Sequence, residues 1–402
     1  MKTWQLYKNK VYILIIVITL VFQSFKYAYG TISFLLLLLV GIIGYCYNPL
    51  KFKTYYLWPI VFFLVSALSL AWSLDPSLTL KGVIRITPLA LIPLVISLGY
   101  DISKKQYDNI FNKFSLIYAL VALFFITNGL FKYYTSGHTK FLFYHTLVEP
   151  SNLNAIYASS FAFVAYFWIL LKQYNVVLYQ LSAIVLLTFI ILLSSKVLIS
   201  LTIICTLVLL IQYFNINFKI IAIVFLVLIG SIFLIKPHNF ISKRFSAEQT
   251  TNFKEIFNCQ NFTKVYPWTG TGLRLFQLRV GFEIIEDDPQ SLLYGLGFNS
   301  SQPSVVNKHK KYNLYPGYYE YNLHNQYLQT IVELGILGAL FLLVCLYQIL
   351  KLYIKKHQLF PLLIFVLFLV LFITESYLMR QRGIIFFSLL YALLPKNKNT
   401  SE

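Results

Sequence analysis

Apolar runs of 16 to 20 residues recur along this chain of 402 residues, and they constrain the fold more than any other feature. A helix of this length crosses the hydrocarbon of a bilayer. The runs lack the strict alternation typical of strands, and in lipid every backbone group must be satisfied within the element. Charged residues make up 12% of the chain, against about 25% in average soluble domains. The sequence therefore predicts an all-α, polytopic integral membrane protein.

About twelve transmembrane helices are expected from these runs. We predict spans near 11–25, 28–47, 57–73, 84–100, 114–134, 155–171, 176–193, 197–214, 219–235, 326–350, 359–374 and 384–394. The first run follows three lysines, as in a signal peptide, but a small-residue cleavage site is hard to find. We therefore expect an uncleaved first helix.

Basic residues set the expected orientation. If the N-terminus is placed inside, the lysines of the cytoplasmic segments outnumber the basic residues of the short outer segments. This bias predicts that both ends of the chain are cytoplasmic. This topology divides the chain into helices one to nine (1–235), a large extracytoplasmic loop (236–325), and the last three helices with a tail (326–402). A loop of this length is usually functional or disordered. Its aromatic content, including a tyrosine-rich run from Tyr312 to Tyr321, argues against disorder.

All arginines lie on the outer side in this topology. They are Arg85, Arg244, Arg274, Arg279, Arg380 and Arg382. Arginine binds phosphate oxygens in a bidentate way, so the pattern favours an anionic ligand at the outer face, with lysine-rich codon usage as the alternative. Lys81, Arg85 and Lys196 are expected at the outer ends of spans, where basic residues mark substrate sites or extend to the interface.

The loop contains an amphipathic helical pattern in TGLRLFQLRVGFEIIEDDP. Leu275, Leu278 and Phe282 recur at helical spacing, which predicts that this face packs. Arg274 begins the helix, and Arg279 points elsewhere because five residues turn a helix by about 140°. Arg279 precedes Glu283 by four residues, which indicates an ion pair. We therefore assign ligand binding to Arg274 and a structural role to Arg279, which stays a secondary site candidate.

His324 lies where the loop meets the tenth span. Asn325 is a favourable N-cap for that helix. An imidazole held at a membrane surface in this way can act as a general base or can serve only in hydrogen bonding.

Several segments resemble the O-antigen ligase and O-antigen polymerase superfamily. HNQYLQTIVELGILGALFLL is similar to its histidine signature, and the arginine-started helix with its Pro-x-x-x-x-x-Gly-x-Gly turn is similar to the preceding segment. LLSSKVLIS and TESYLMRQRGIIFFSLLYALL resemble further family segments. The latter makes Glu375 and Arg382 additional candidates. His145 is a further candidate, although the family often has a histidine where Asn154 stands in this sequence.

The resemblance implies a metal-independent, inverting glycosyltransferase without a cofactor. Its donor would be a glycan on polyprenyl pyrophosphate, and its acceptor a hydroxyl of lipid A-core or another glycan, at the periplasmic face of a bacterial inner membrane. His324 matches the histidine that activates the acceptor, and Arg274 matches the arginine that holds pyrophosphate. Lys196 replaces a residue that is often arginine.

Alternative functions remain open at this point. A polymerase that extends lipid-linked repeats and an oligosaccharyltransferase that acts on protein hydroxyls would share the donor, the base and the fold. A transporter of lipid-linked sugars would show inverted repeats and broken helices. Membrane lipids are expected partners, and nucleic acid is not.

Overall fold

The computed structural model describes residues 2–213, 248–263 and 266–396, and within them every regular element is helical. We number the helices in chain order. They are α1 Lys2–Phe22, α2 Tyr27–Tyr47, α3 Leu57–Leu68, α4 Pro76–Ile86, α5 Pro88–Gly99, α6 Lys104–Ser136, α7 Tyr144–Leu147, α8 Ala155–Lys172, α9 Val177–Leu192, α10 Lys196–Tyr213, α11 Phe253–Asn258, α12 Gly270–Asp287, α13 Ser291–Tyr294, α14 Gln302–Lys311, α15 Gln326–Lys356, α16 Leu359–Thr374 and α17 Gln381–Leu393. The expectation of an all-helical fold is confirmed for this part of the chain.

Among the residues that the structure describes, six helical segments are long and apolar enough to cross a membrane. They are Tyr27–Tyr47, Thr54–Ala71, Pro76–Gly99, Lys104–Ser136, Ala155–Lys172 and Gln326–Lys356. Shorter apolar helices coincide with the predicted spans near 11–25, 176–193, 197–214, 359–374 and 384–394. The predicted span 219–235 lies outside the described residues. The structure thus fits a polytopic membrane protein, while the number of crossings and their orientation stay predictions.

The fourth predicted span begins earlier than expected. Instead of one helix over 84–100, α4 starts at Pro76, and α5 follows after Thr87. The Asp75 carboxylate accepts a hydrogen bond of 3.0 Å from the Leu78 amide, and proline suits the first position of a helix. Lys81 and Arg85 therefore lie on α4, which together with α5 makes up the apolar segment Pro76–Gly99.

Helix α15 is broken at Gly335, whereas a continuous span 326–350 was predicted. Gly335 has φ 66° and ψ −168°, outside the helical region. Carbonyls before the break are bound from another segment: the amides of Leu296 and Gly297 donate to Val332 and Glu333 at 2.9 and 3.0 Å. A side chain at Gly335 would collide with the Leu293 carbonyl. Glycine permits both this backbone conformation and the close approach of Leu293. The apolar pattern of the sequence does not show that approach.

The chain divides into two compact units, residues 1–114 with 252–402, and residues 115–251. In the first unit α15 packs against α3, α13 and α16, and α17 packs against α5. In the second unit α8 packs against α9 and α10.

A hydrophobic core stabilises the segment between α11 and α15. Phe262, Phe276, Val280 and Tyr312 are buried together in it. The packed face of α12 is therefore shifted from the predicted one. Leu275 and Leu278 are only partly buried against this core, and Phe282 is 57% exposed, because Phe276 and Val280 point inwards instead.

Candidate active site

Arg274 lies in the first turns of α12. The Thr269 hydroxyl accepts a hydrogen bond of 2.9 Å from the Gly272 amide and caps the helix. The Arg274 guanidinium donates from Nε to the Thr374 carbonyl at 2.9 Å and from Nη1 to the Gly270 carbonyl at 3.2 Å. About a third of the side chain is exposed, so it is oriented by the protein and can still be reached by a ligand.

His324 immediately precedes the N-cap of α15, in a left-handed backbone conformation with φ 49°. As predicted, the Asn325 side chain caps α15, accepting from the Leu328 amide at 2.9 Å. Its amide nitrogen also donates to the Ile373 carbonyl at 3.0 Å, near the end of α16. The His324 amide donates to Asn322 Oδ1 at 3.0 Å. These bonds hold the backbone that carries His324 between the start of α15 and the end of α16.

Glu375 follows α16 and stands between these two side chains. Its Oε2 atom lies 3.5 Å from His324 Nδ1 and 3.8 Å from Arg274 Nη2, and the residue is 6% exposed. Burial by itself would raise the pKa of this carboxyl, but His324, Arg274 and Arg380 together hold the pKa below its ordinary value. Glu375 is thus an anionic partner of both residues. We refer to His324, Glu375 and Arg274 as the His–Glu–Arg cluster.

A buried polar network lies behind the cluster. Gln329 Oε1 accepts from the Leu323 amide at 3.0 Å and from the Ser376 hydroxyl at 3.4 Å, and its Nε2 donates to Glu333 Oε1 at 2.7 Å. The network fixes the backbone beside both His324 and Glu375. Sequence reasoning missed it, although Gln326, Gln329 and Glu333 form a polar stripe at helical spacing on an apolar span, which is a recognisable signal.

Lys81 and Arg85 lie on α4. Lys81 is exposed. Arg85 Nη2 donates to Asn299 Oδ1 at 2.6 Å, and Asn299 Nδ2 in turn donates to the Leu78 carbonyl at 2.8 Å. Arg85 therefore holds the turn after Gly297 against α4, and its proposed contact with a ligand stays a prediction.

Lys196 and His145 belong to the second unit. Lys196 begins α10, and its Nζ forms an ion pair of 2.5 Å with Glu248. His145 Nδ1 accepts from the Ala155 amide at 3.1 Å, which places its ring at the start of α8, where the Asn154 side chain is the cap. Their roles as site residues stay predictions.

Two further candidate arginines are embedded in the protein away from the cluster's contacts. Arg279 is 8% exposed and donates to Glu283, to the carbonyls of Ile256 and Cys259, and to the Tyr312 hydroxyl, each at 2.8 or 2.9 Å. The predicted pair with Glu283 is present. Arg382 is 4% exposed.

Arg382 donates to the Phe25 carbonyl at 2.6 Å and lies over the Tyr27 ring. Both arginines therefore hold separate segments of the chain together.

The fold and the site define a helical membrane protein in which a histidine, a carboxylate and an arginine converge where three helices begin or end. Residues 180–343 match the family model described as O-antigen ligase. This match confirms the resemblance seen in the motifs. It indicates glycosyl transfer of the O-antigen ligase or polymerase type. No curated protein matches the chain.

Proposed function

We propose that the protein transfers a glycan from polyprenyl pyrophosphate to an acceptor hydroxyl, with lipid A-core as the acceptor. The reaction takes place at the periplasmic face of a bacterial inner membrane. The observation that carries this proposal is the His–Glu–Arg cluster. A base, His324, and a cation suited to phosphate, Arg274, both lie within 4 Å of one oxygen of Glu375, which orients the base.

His324 is the general base. Its neutral imidazole removes the proton from the acceptor hydroxyl while the hydroxyl oxygen forms a bond to the anomeric carbon of the donor sugar. Glu375 faces Nδ1, so a proton on Nδ1 is favoured and Nε2 is left to accept the proton. The same carboxylate stabilises the imidazolium that forms, as the third group of a triad does.

Arg274 acts on the leaving group. The bond between the anomeric carbon and the pyrophosphate oxygen breaks, and the electron pair leaves with the pyrophosphate. A guanidinium matches the phosphate oxygens and stabilises the charge that develops on them. Attack from the side opposite the leaving group inverts the anomeric centre. Arg85 and Lys81 contribute further positive charge, so this route assigns charge stabilisation to side chains and not to a metal ion.

A transporter of lipid-linked sugars is the rival from another class. The break in α15 at Gly335 is the feature that such a protein would need. The carbonyls before it, however, accept hydrogen bonds from the amides of Leu296 and Gly297. The break therefore serves the packing of this segment against α15. This observation favours catalysis over transport.

Gene deletion with complementation tests the proposal. The lipopolysaccharide of the deletion strain is compared on gels with that of strains carrying the wild type, His324→Ala or Arg274→Ala at matched membrane levels. His138→Ala, a change at an exposed histidine, is the control. We expect loss of polymer from lipid A-core, persistence of lipid-linked polymer, and rescue by the wild type and the control alone.

Other outcomes separate the alternatives. Lipid A-core carrying a single repeat would identify a polymerase. Normal lipopolysaccharide with underglycosylated periplasmic proteins would identify an oligosaccharyltransferase. Full rescue by both cluster variants would refute the catalytic role of the cluster.

A further inference from the structure

The segment before His324 places an aromatic ring at every third residue. The rings of Tyr315 and Tyr318 are 6.2 Å apart, those of Tyr318 and Tyr321 are 5.4 Å apart, and those of Tyr321 and His324 are 5.4 Å apart. Each contact is edge-to-face, with interplanar angles of 81° to 85°. We refer to Tyr315, Tyr318 and Tyr321 as the tyrosine row. The row is continuous and leads to the proposed base.

The outer members of the row are open to the surroundings. Tyr315 is 55% and Tyr321 is 37% exposed, whereas Tyr312, earlier in the same segment, is 2% exposed and belongs to the core. Packing within the protein accounts for Tyr312 and leaves the exposed rings unexplained. Neighbouring exposed aromatic rings beside a site are typical of a binding surface.

The backbone that carries the row is held in place. Gln302 Nε2 donates to the carbonyls of Tyr319 and Tyr321 at 2.6 and 3.4 Å. The Tyr319 ring also lies 6.3 Å from the ring of His309, which is fully buried. A surface fixed in this way loses little conformational entropy when a ligand binds.

The chemistry of the row suits a saccharide. The face of a tyrosine ring is electronegative and attracts the polarised C–H groups of a sugar, while its hydroxyl can exchange hydrogen bonds with sugar hydroxyls. A belt at the membrane interface also uses tyrosine, but it requires rings at one depth and not a row of ring contacts that ends at a base.

The position of the row selects the acceptor over the donor. Arg274, which would hold the donor pyrophosphate, contacts Thr374, Gly270 and Glu375. Tyr321 contacts His324 itself. We propose that the tyrosine row binds the acceptor saccharide by stacking and presents its hydroxyl to His324. This inference rests on the proposed function, and it adds the subsite that recognises the acceptor.

Steady-state kinetics on the purified full-length protein test this inference. The acceptor is lipopolysaccharide extracted from the deletion strain, titrated at saturating lipid-linked donor. Tyr321→Ala is expected to raise KM for the acceptor about tenfold. This is the lower end of the loss in affinity that removal of one aromatic ring causes for stacked nucleic-acid bases. Tyr315→Ala raises it less, because it lies further from the base. Both leave KM for the donor unchanged.

Two control variants isolate the ring. Tyr321→Phe keeps the stacking surface and is expected to keep KM within a factor of about two or three. Tyr134→Ala removes a tyrosine that is 89% exposed elsewhere and is expected to behave as wild type. A higher KM for the donor in Tyr321→Ala, or an unchanged KM for both substrates, would overturn the inference.

Binding without turnover separates this inference from the proposed function. The delipidated core oligosaccharide is added to His324→Ala protein, and saturation-transfer NMR reports contact. We expect sugar signals with His324→Ala and their loss with His324→Ala combined with Tyr321→Ala. Wild-type turnover by His324→Ala would defeat the proposed function. Equal sugar signals from both proteins would defeat the role of the tyrosine row.

Discussion

Replacing Glu375 by glutamine tests the link between the base and the phosphate-binding arginine. The substitution keeps the shape of the side chain and removes its charge. In the wild type, His324 Nδ1 lies 3.5 Å from Glu375 Oε2, and the two side chains are 22% and 9% exposed. The proton that His324 takes from the acceptor makes it a cation, so the transition state gains an attraction to Glu375 that the ground state lacks.

The size of this effect follows from the geometry. At an effective dielectric constant of about 20, opposite unit charges at this separation attract by about 5 kcal/mol. Partial exposure of His324 weakens this attraction, and the polar amide of glutamine replaces part of it. We therefore expect the barrier to rise by about 2–3 kcal/mol, or roughly 30- to 150-fold in kcat. KM for the donor changes less, because the pyrophosphate compensates the Arg274 charge when bound.

The assay is transfer of lipid-linked glycan by purified protein, with kcat and KM measured for both substrates. Glu375→Asp is expected to fall between the wild type and Glu375→Gln, because it keeps the charge at a longer distance. Glu286→Gln, at an exposed carboxylate on α12, is the matched control. A wild-type kcat in correctly folded Glu375→Gln protein would refute the reasoning that Glu375 stabilises the protonated base.

Three further predictions concern stability, measured as the unfolding temperature in detergent. Arg279→Ala removes one partner of a buried ion pair and should cost about 3–5 kcal/mol, whereas Arg274→Ala should lower the unfolding temperature less, because about a third of the Arg274 side chain is exposed. Gly335→Ala should destabilise far more than Gly137→Ala, because both have positive φ but only Gly335 meets neighbouring backbone. Burial raises the pKa of Glu283, but Tyr312, Arg279 and Lys308 outweigh it and lower that pKa below its ordinary value of 4.5. The stability from Glu283 is thus present above pH 4.5 and lost as the pH falls through the depressed pKa, and Glu283→Gln should reduce this acid sensitivity.

Each of these predictions has an outcome that contradicts it. An unfolding temperature that falls equally in the variants of Arg274 and Arg279 would remove the distinction between a ligand-facing and a structural arginine. Equal losses in the two glycine variants would leave the positive φ alone as the cause. An unchanged pH dependence in Glu283→Gln would show that other carboxylates control acid unfolding.

Local features of the candidate site could be predicted from the sequence. Asn325 caps α15, α12 ends at the Asp288–Pro289 step, and Arg279 pairs with Glu283. The separation of the arginines on α12 also followed from the angle that five residues subtend on a helix. Each of these interactions joins residues within about one or two turns, so spacing along the chain is enough to specify it.

The sequence by itself determined the class of the protein, because long apolar runs leave hydrocarbon as the only solvent in which the chain can fold. Only the tertiary structure decided that Glu375 stands between His324 and Arg274, that Phe282 faces outwards, and that α15 breaks at Gly335 where a distant backbone binds its carbonyls. These features depend on which segments from different parts of the chain come into contact. Hydrophobic periodicity records which face of a helix is apolar, but it carries no information on the neighbour that covers that face.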